Sequence, residues 1–156
     1  PAFRTVALLP LKAHSARVVG KNFRPFAGRP LFQWILETLL ALPEIEKIII
    51  NTDAESILRE NGLKESDRIM LRQRKPELCG DLVSMNRVLA DDVAAVESRT
   101  YVMTHTTNPL LTSETIQSAL RDYAQAVEAG THDSLFSVNK FQTRFYRADA
   151  SPINHD

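Results

Sequence analysis

The chain has a single cysteine, Cys79, among its 156 residues, which excludes an internal disulfide and fits a reducing compartment. Cys79 lacks the neighbouring cysteine–histidine spacing that holds zinc, so it reads as a small packed residue. The histidines His14, His105, His132 and His155 do not cluster as metal ligands either. Glycine is scarce, five in all, and the three spaced glycines of a dinucleotide fingerprint are absent. Gly20-Lys21 invites a Walker reading and fails it: Ser15 stands where the first glycine belongs, and Asn22 where serine or threonine belongs. Net charge is missing too, since 19 Lys and Arg balance 19 Asp and Glu. That balance gives no general attraction to a nucleic-acid polymer or a membrane surface. No apolar run approaches the ~20 residues of a membrane span, and no signal-peptide pattern opens the chain, so cytoplasm is the default.

What is present suits one buried core, with 44% hydrophobic and 24% charged residues. Thr5 to Leu9 is a short apolar run ended by Pro10 and reads as a buried strand. After an irregular basic stretch, Pro30 suits a first helical turn, and Leu31, Trp34, Ile35, Leu39 and Leu42 recur at helical spacing until Pro43. Lys47 to Asp53 is a second strand, and Ala54 to Asn61 a short helix closed by Gly62. Arg68 to Leu71 is a third strand. Ser84 can cap a helix carrying Met85, Val88, Leu89, Val93 and Val96. Thr100 to Thr104 is a fourth strand. Thr112 or Ser113 caps a helix through Ile116, Leu120, Tyr123 and Val127, closed by Gly130. Ser134 to Val138 reads as a fifth strand. This alternation predicts parallel pairing, right-handed crossovers and helices on both sheet faces: a doubly wound, mostly parallel α/β domain over residues 1–138. From Asn139 the pattern breaks, and the chain reaches Asp156 without completing another unit, so the end reads as a cut.

In such sheets the ligand lies beyond the C-terminal strand ends, at the switch point. The polar residues there are Lys12 to Asn22, Asn51 to Asp53, Arg72 to Ser84 and His105 to Asn108. Arg4, Lys12, Arg17, Lys21, Arg24 and Arg29 all precede the first acidic residue, Glu37. They are either a site for a polyanion smaller than DNA or solvated surface charges. A loop carrying Lys12, Arg17 and Lys21 with the Ser15 hydroxyl can neutralise a triphosphate, whose charge otherwise repels a nucleophile. Arg74 offers a planar donor fork to a base carbonyl or a phosphate. Ser84 either caps its helix or turns its hydroxyl to the ligand. His105 stands directly after a buried strand, either hydrogen-bonded in place or functional.

Together these loops resemble the acylneuraminate cytidylyltransferase family, whose members make CMP-activated sialic acids. The likeness runs through Leu8-Leu9-Pro10-Leu11-Lys12-Ala13-His14-Ser15-Ala16-Arg17-Val18-Val19-Gly20-Lys21-Asn22 and on through Phe23 to Leu31. Asn51-Thr52-Asp53 stands where that family has serine–threonine–aspartate. Arg74-Lys75-Pro76-Glu77-Leu78-Cys79-Gly80-Asp81 with Ser84 is similar to its arginine–proline–glutamate–leucine segment, and Thr107-Asn108-Pro109-Leu110 to the segment after the fourth strand.

The resemblance implies a Rossmann-like nucleotidyltransferase domain. It implies that the anomeric hydroxyl of a nonulosonic acid attacks the α-phosphate of CTP, with magnesium assisting and pyrophosphate leaving. Lys12, Arg17 and Lys21 would hold phosphates, with Ser15 and Asn22 nearby. Arg74 and Ser84 would recognise cytosine and ribose, and His105 would stand where a glutamine faces the sugar. The family's magnesium-binding aspartates would lie beyond Asp156, residues 139–156 would begin the sugar-site and dimerisation segment, and the complete protein would be a homodimer. Lys12 replaces an arginine, keeping charge but losing bidentate geometry, and His105-Thr106 replaces glutamine–proline. Two other readings stand beside this one: a related nucleotidyltransferase acting on an octulosonate or another sugar, and a nucleotide-binding subunit without chemistry.

Overall fold

The computed structural model describes residues 1–15, 18–64 and 66–155. In it the apolar runs become strands. β1 (Phe3–Leu8) is followed by a small ribbon of β2 (Pro25–Phe26) and β3 (Arg29–Pro30), then by β4 (Lys47–Thr52), β5 (Ile69–Gln73) and β6 (Ser98–Met103). Helix α1 (Leu31–Leu40) precedes β4, α2 (Glu55–Glu60) joins β4 to β5, and α3 (Met85–Ala95) joins β5 to β6. Helix α4 (Ser113–Glu128) follows β6.

The main sheet has the order β5-β4-β1-β6 with every neighbouring pair parallel. Its chain steps outward from β1 to β4 and β5, then returns over both to place β6 on the far side of β1. Right-handed crossovers therefore put α1 and α2 on one face and α3 on the other. β4 is buried from Ile48 to Thr52, which explains its unbroken apolar run: a strand covered on both faces needs no polar alternation. On the α3 face Val6, Leu8, Ile49 and Val96 form a cluster that Leu89 and Met70 extend. Alternation turns Ala7, Ile48 and Ile50 to the opposite face, where α1 contributes buried Phe32, Ile35, Leu36 and Leu39.

Two local devices fix the connections. The β2–β3 ribbon turns at Ala27-Gly28, with φ of 46° and 89°, the left-handed pair that a two-residue hairpin needs. Gly62 closes α2 with φ of 87°, and a Cβ there would lie 2.8 Å from Gln33 Nε2, which donates to the Asn61 carbonyl. At the other end of the sheet edge, Arg68 enters the exit of α1. Its guanidinium donates to the carbonyls of Leu40 at 2.7 Å, Leu42 at 2.6 Å and Ile45 at 2.6 Å. A cation among carbonyls beyond a helix C-terminus satisfies orphan acceptors and opposes the helix dipole.

The strand boundaries differ from the sequence reading by one or two residues, and Pro30 is the residue before α1 rather than its first turn. The basic stretch read as irregular contains the β2–β3 ribbon and a short 3-10 turn at Lys21–Phe23. The strand predicted at Ser134–Val138 is not formed: these residues are exposed and lie in no strand. An apolar run makes a strand only with a neighbour to take its backbone groups, and among the described residues this one has none.

The chain divides into compact units at Pro1–Ser118 and Ala119–Asp156. Within the second, residues 143–155 form a tight turn: Tyr146 bridges Pro152, Arg147 N donates to Ser151 O at 2.8 Å, and the Tyr146 and His155 rings meet edge to face at 4.8 Å. No helix among the described residues is long and apolar enough to cross a membrane.

Replacing Arg68 with Met strands the carbonyls beyond α1, and urea unfolding should show a loss of about 2–3 kcal/mol. A loss within experimental error would mean that water serves those carbonyls equally well.

Candidate functional site

β1 neighbours both β4 and β6, and the direction of travel through the sheet reverses between β1 and β6. In open α/β sheets such a reversal is where a ligand site is expected, beyond those C-terminal strand ends. The ladder continues past the strand ends: Leu9 N donates to Ile49 O at 2.9 Å, Leu11 N to Asn51 O at 3.1 Å, and Thr104 N to Leu8 O at 2.9 Å. The loop after β1 thus leaves the sheet at a fixed point, Lys12.

Three side chains fasten that loop. Asp53 Oδ1, at the end of β4, accepts from Ala13 N at 2.8 Å. Asn22 Nδ2, in the turn after Gly20, donates to the Lys12 carbonyl at 2.9 Å. Thr106, after β6, donates its hydroxyl to Asn22 Oδ1 at 2.6 Å. Asn22 and Thr106 are both buried. Gly20 takes φ of 61° to lead the chain into the Lys21–Phe23 turn.

The charges sit on this frame. The Lys12 ammonium pairs with the carboxylate of Asp81, a residue 69 positions later in the chain. The hydrogen bond and charge of Lys12 hold the Asp81 carboxyl below its ordinary value of 3.8. Lys21 is half-buried at the head of its turn and Ser15 half-buried within the loop. Arg17 lies outside the described residues. His105 is exposed directly after β6, with its carbonyl accepting from Asn108 N at 3.3 Å.

Behind the loop lies a polar cluster in which Asn51, Arg72, Arg74 and Lys75, singled out in the sequence, meet two carboxylates of α3 that the sequence reading passed over. Arg74 is 6% exposed, and its Nε donates to Asn51 Oδ1 at 2.9 Å. Its Nη2 donates to Asn51 O at 2.8 Å and Leu11 O at 3.4 Å. Asn51 Nδ2 donates to Asp92 Oδ1 at 2.8 Å, and Arg72 pairs with both Asp92 and Asp91. Lys75 adds a second cation to Asp91, whose carboxyl is held down chiefly by that hydrogen bond. Burial pushes the Asp92 carboxyl up, against the opposing pull of Asn51 and Arg72. Ser84 caps α3, its hydroxyl accepting from Asn86 N at 3.3 Å.

Of the residues picked out by sequence, Lys12, Ser15, Lys21, Asn22 and His105 lie on the loops after β1 and β6. Arg74 braces them from beneath. Asp53, Thr106 and Asp81, which fasten or pair with that loop, stand in the segments compared with the family, and the sequence reading gave none of them this role. Among the described residues no three Asp, Glu, His or Cys side chains gather as ion ligands. A cavity of about 350 Å3 lined by Arg59, Lys64, Asp67 and Leu71 lies at the β5 edge of the sheet rather than at these strand ends.

Residues 6–155 match the family described as Cytidylyltransferase. The pseudaminic acid cytidylyltransferase of Campylobacter jejuni subsp. jejuni is 23% identical over 150 residues, covering 93% of this chain and 62% of that protein. The chain therefore spans less than two thirds of that relative's length. The 3-deoxy-manno-octulosonate cytidylyltransferase of Synechococcus elongatus is 36% identical over 50 residues, 32% of this chain and 20% of that protein. Among solved structures, CMP:2-keto-3-deoxy-manno-octonic acid synthetase complexed with CTP superposes with a TM-score of 0.62 at 19% identity, over 78% of this chain and 48% of that one. That likeness is one of fold.

The Asp81 carboxyl has a lowered folded-state pKa, so its pairing with Lys12 is complete above the ordinary carboxylate range and is lost as pH falls through the lowered value. A carbon-detected NMR titration should place its midpoint below 3.8, and Lys12→Ala should move it back up. An unmoved midpoint would refute the pairing in solution.

Proposed function

This chain belongs to the cytidylyltransferase family, and we propose that the protein transfers CMP from CTP to an acidic sugar of the nonulosonic, sialic-acid-like type. The observation that carries this reading is the cationic loop after β1, fastened by Asp53, Asn22 and Thr106 at the sheet's switch point. Phosphoryl-type transfer asks mainly for positioning and charge neutralisation, which such a loop supplies.

In the reaction the anomeric hydroxyl oxygen of the sugar attacks the α-phosphorus, its proton passes to solvent, and the bond from that phosphorus to the bridging oxygen breaks, releasing pyrophosphate. Lys12 exchanges the Asp81 carboxylate for a phosphate oxygen, while Lys21 and Arg17 meet the rest of the triphosphate with Ser15 beside them. Asn22 serves from the interior by holding the Lys12 carbonyl. Ser84 and Arg74 serve the nucleoside. Most of the hydrogen bonds recorded for Arg74 go to Asn51, so its part is to set the strand end beneath the base. His105, exposed after β6, faces the sugar.

Magnesium is part of this reading by resemblance alone. Asp53 accepts from Ala13 N, and the described residues hold no group of three ion ligands. Residues 139–156 begin the sugar-site and dimerisation segment in this proposal, with a homodimer in the cytoplasm as the working form.

The pseudaminic acid relative supports a nonulosonic acceptor, and the shorter octulosonate match supports the related sugar as the second reading. A nucleotide-binding subunit without chemistry is the third reading. Pyrophosphate release from CTP should require a nonulosonic acid and should exceed release from UTP or GTP. Turnover with octulosonate alone would shift the assignment to that sugar, and CTP binding with no product from any acid would establish the non-catalytic reading. Lys21→Ala should weaken CTP binding by about 1.5–3 kcal/mol, the range for a hydrogen bond to a charged group. An unchanged affinity in calorimetry would remove Lys21 from the phosphate site.

A further inference from the structure

Asp92 lies on the sheet-facing side of α3 and is fully buried. A carboxyl in that position is costly unless its oxygens are matched. Oδ1 accepts from Asn51 Nδ2 at 2.8 Å and from Arg72, whereas Oδ2 is buried without a partner among the described residues. Oδ1 can only accept, whichever protonation state Oδ2 takes. The Asn51 carboxamide must therefore turn its NH2 toward α3 and its oxygen the other way. That oxygen receives Arg74 Nε at 2.9 Å. The same guanidinium reaches the Asn51 carbonyl at 2.8 Å and the Leu11 carbonyl at 3.4 Å. Leu11 N closes the circuit on Asn51 O at 3.1 Å. The next residue is Lys12.

We infer that Asp92 is a positioning residue for the site: by dictating which way the Asn51 carboxamide faces, it sets Arg74 against Leu11 and fixes the root of the loop that carries Lys12. The relay stands on the geometry alone, and its bearing on CTP rests on the function proposed above. The competing account is a plain ion pair between Asp92 and Arg72. The two differ in what Asp92 must supply, an acceptor oxygen in the first and a negative charge in the second. Arg72 keeps a carboxylate in either case, since its Nη2 lies 3.0 Å from Asp91 Oδ2.

Asp92→Leu removes the acceptor at similar size, and Asp92→Asn keeps an acceptor oxygen while removing the charge. Amide hydrogen exchange at Leu11 and the calorimetric dissociation constant for CTP read the two ends of the relay. In Asp92→Leu the Leu11 amide should exchange about tenfold faster and CTP should bind about tenfold more weakly, whereas Asp92→Asn should stay within about twofold of the parent on both, as expected when one hydrogen bond is lost or kept. If Asp92→Asn is as impaired as Asp92→Leu, the charge is what counts and the relay is wrong. Unchanged values in Asp92→Leu overturn it too, as does faster exchange with unaltered CTP affinity. Should Asp92→Leu fail to fold, Asn51→Ala removes the middle of the relay and should reproduce the expected losses. A parent protein that binds no CTP would sink the function proposal, and Leu11 exchange would then decide the relay by itself.

Discussion

The structure turns on what happens to Asn51 at the end of its central strand. Its backbone carbonyl receives both Leu11 N and the Arg74 guanidinium, and its side chain links that guanidinium to Asp92. Three pieces of chain far apart in sequence meet on one residue: the exit of β1, the end of β5 and the middle of α3. Buried polar groups left unmatched are costly, so this set, matched but for Asp92 Oδ2 among the described residues, admits few alternative arrangements. Hydrophobic burial on both sheet faces supplies cohesion without choosing among close packings. The polar set makes that choice where it matters, beneath the loop that carries the cations.

Above it the electrostatics are gentler. Lys12 and Asp81 are partly exposed, so their attraction is screened and each can exchange partners. This contrast suits a binding site. In the proposed function the buried floor fixes the root of the loop, and the solvent-facing pair lets Lys12 exchange Asp81 for a phosphate oxygen.

How much of this the sequence disclosed depends on which force set each element. The triple isoleucine of β4, the α1 stripe ended by Pro43 and the Ser84 cap are local signals, and each formed close to where it was read. Alternation gave the parallel pairing, whereas the strand order β5-β4-β1-β6 is visible only in the structure. The β2–β3 ribbon escaped notice because two residues a side are too few to show a period. Ser134–Val138 misled for the opposite reason: its composition is that of a strand, but composition supplies no neighbour. The floor of the site was the least legible. Arg72, Arg74 and Lys75 look alike in sequence, and only the pleat turns Arg74 inward while leaving Lys75 outside. Asp91-Asp92 carries no motif that singles it out, yet the second carboxyl is fully buried. Asn22 stands near the phosphates in the sequence reading, and in the structure its side chain bonds Lys12 and Thr106.

The ribbon that follows the cationic loop also touches the chain's only tryptophan. Trp34 donates its indole N–H to the Phe26 carbonyl at 2.9 Å, meets the Phe26 ring edge to face, and lies 3.8 Å beneath the Arg29 guanidinium that also pairs with Glu37. An indole's emission responds to just such neighbours, a charge over its face and a hydrogen bond at its edge. The molecule thus carries its own optical gauge at the place where the loop rejoins the framework, with no competing tryptophan to blur the signal.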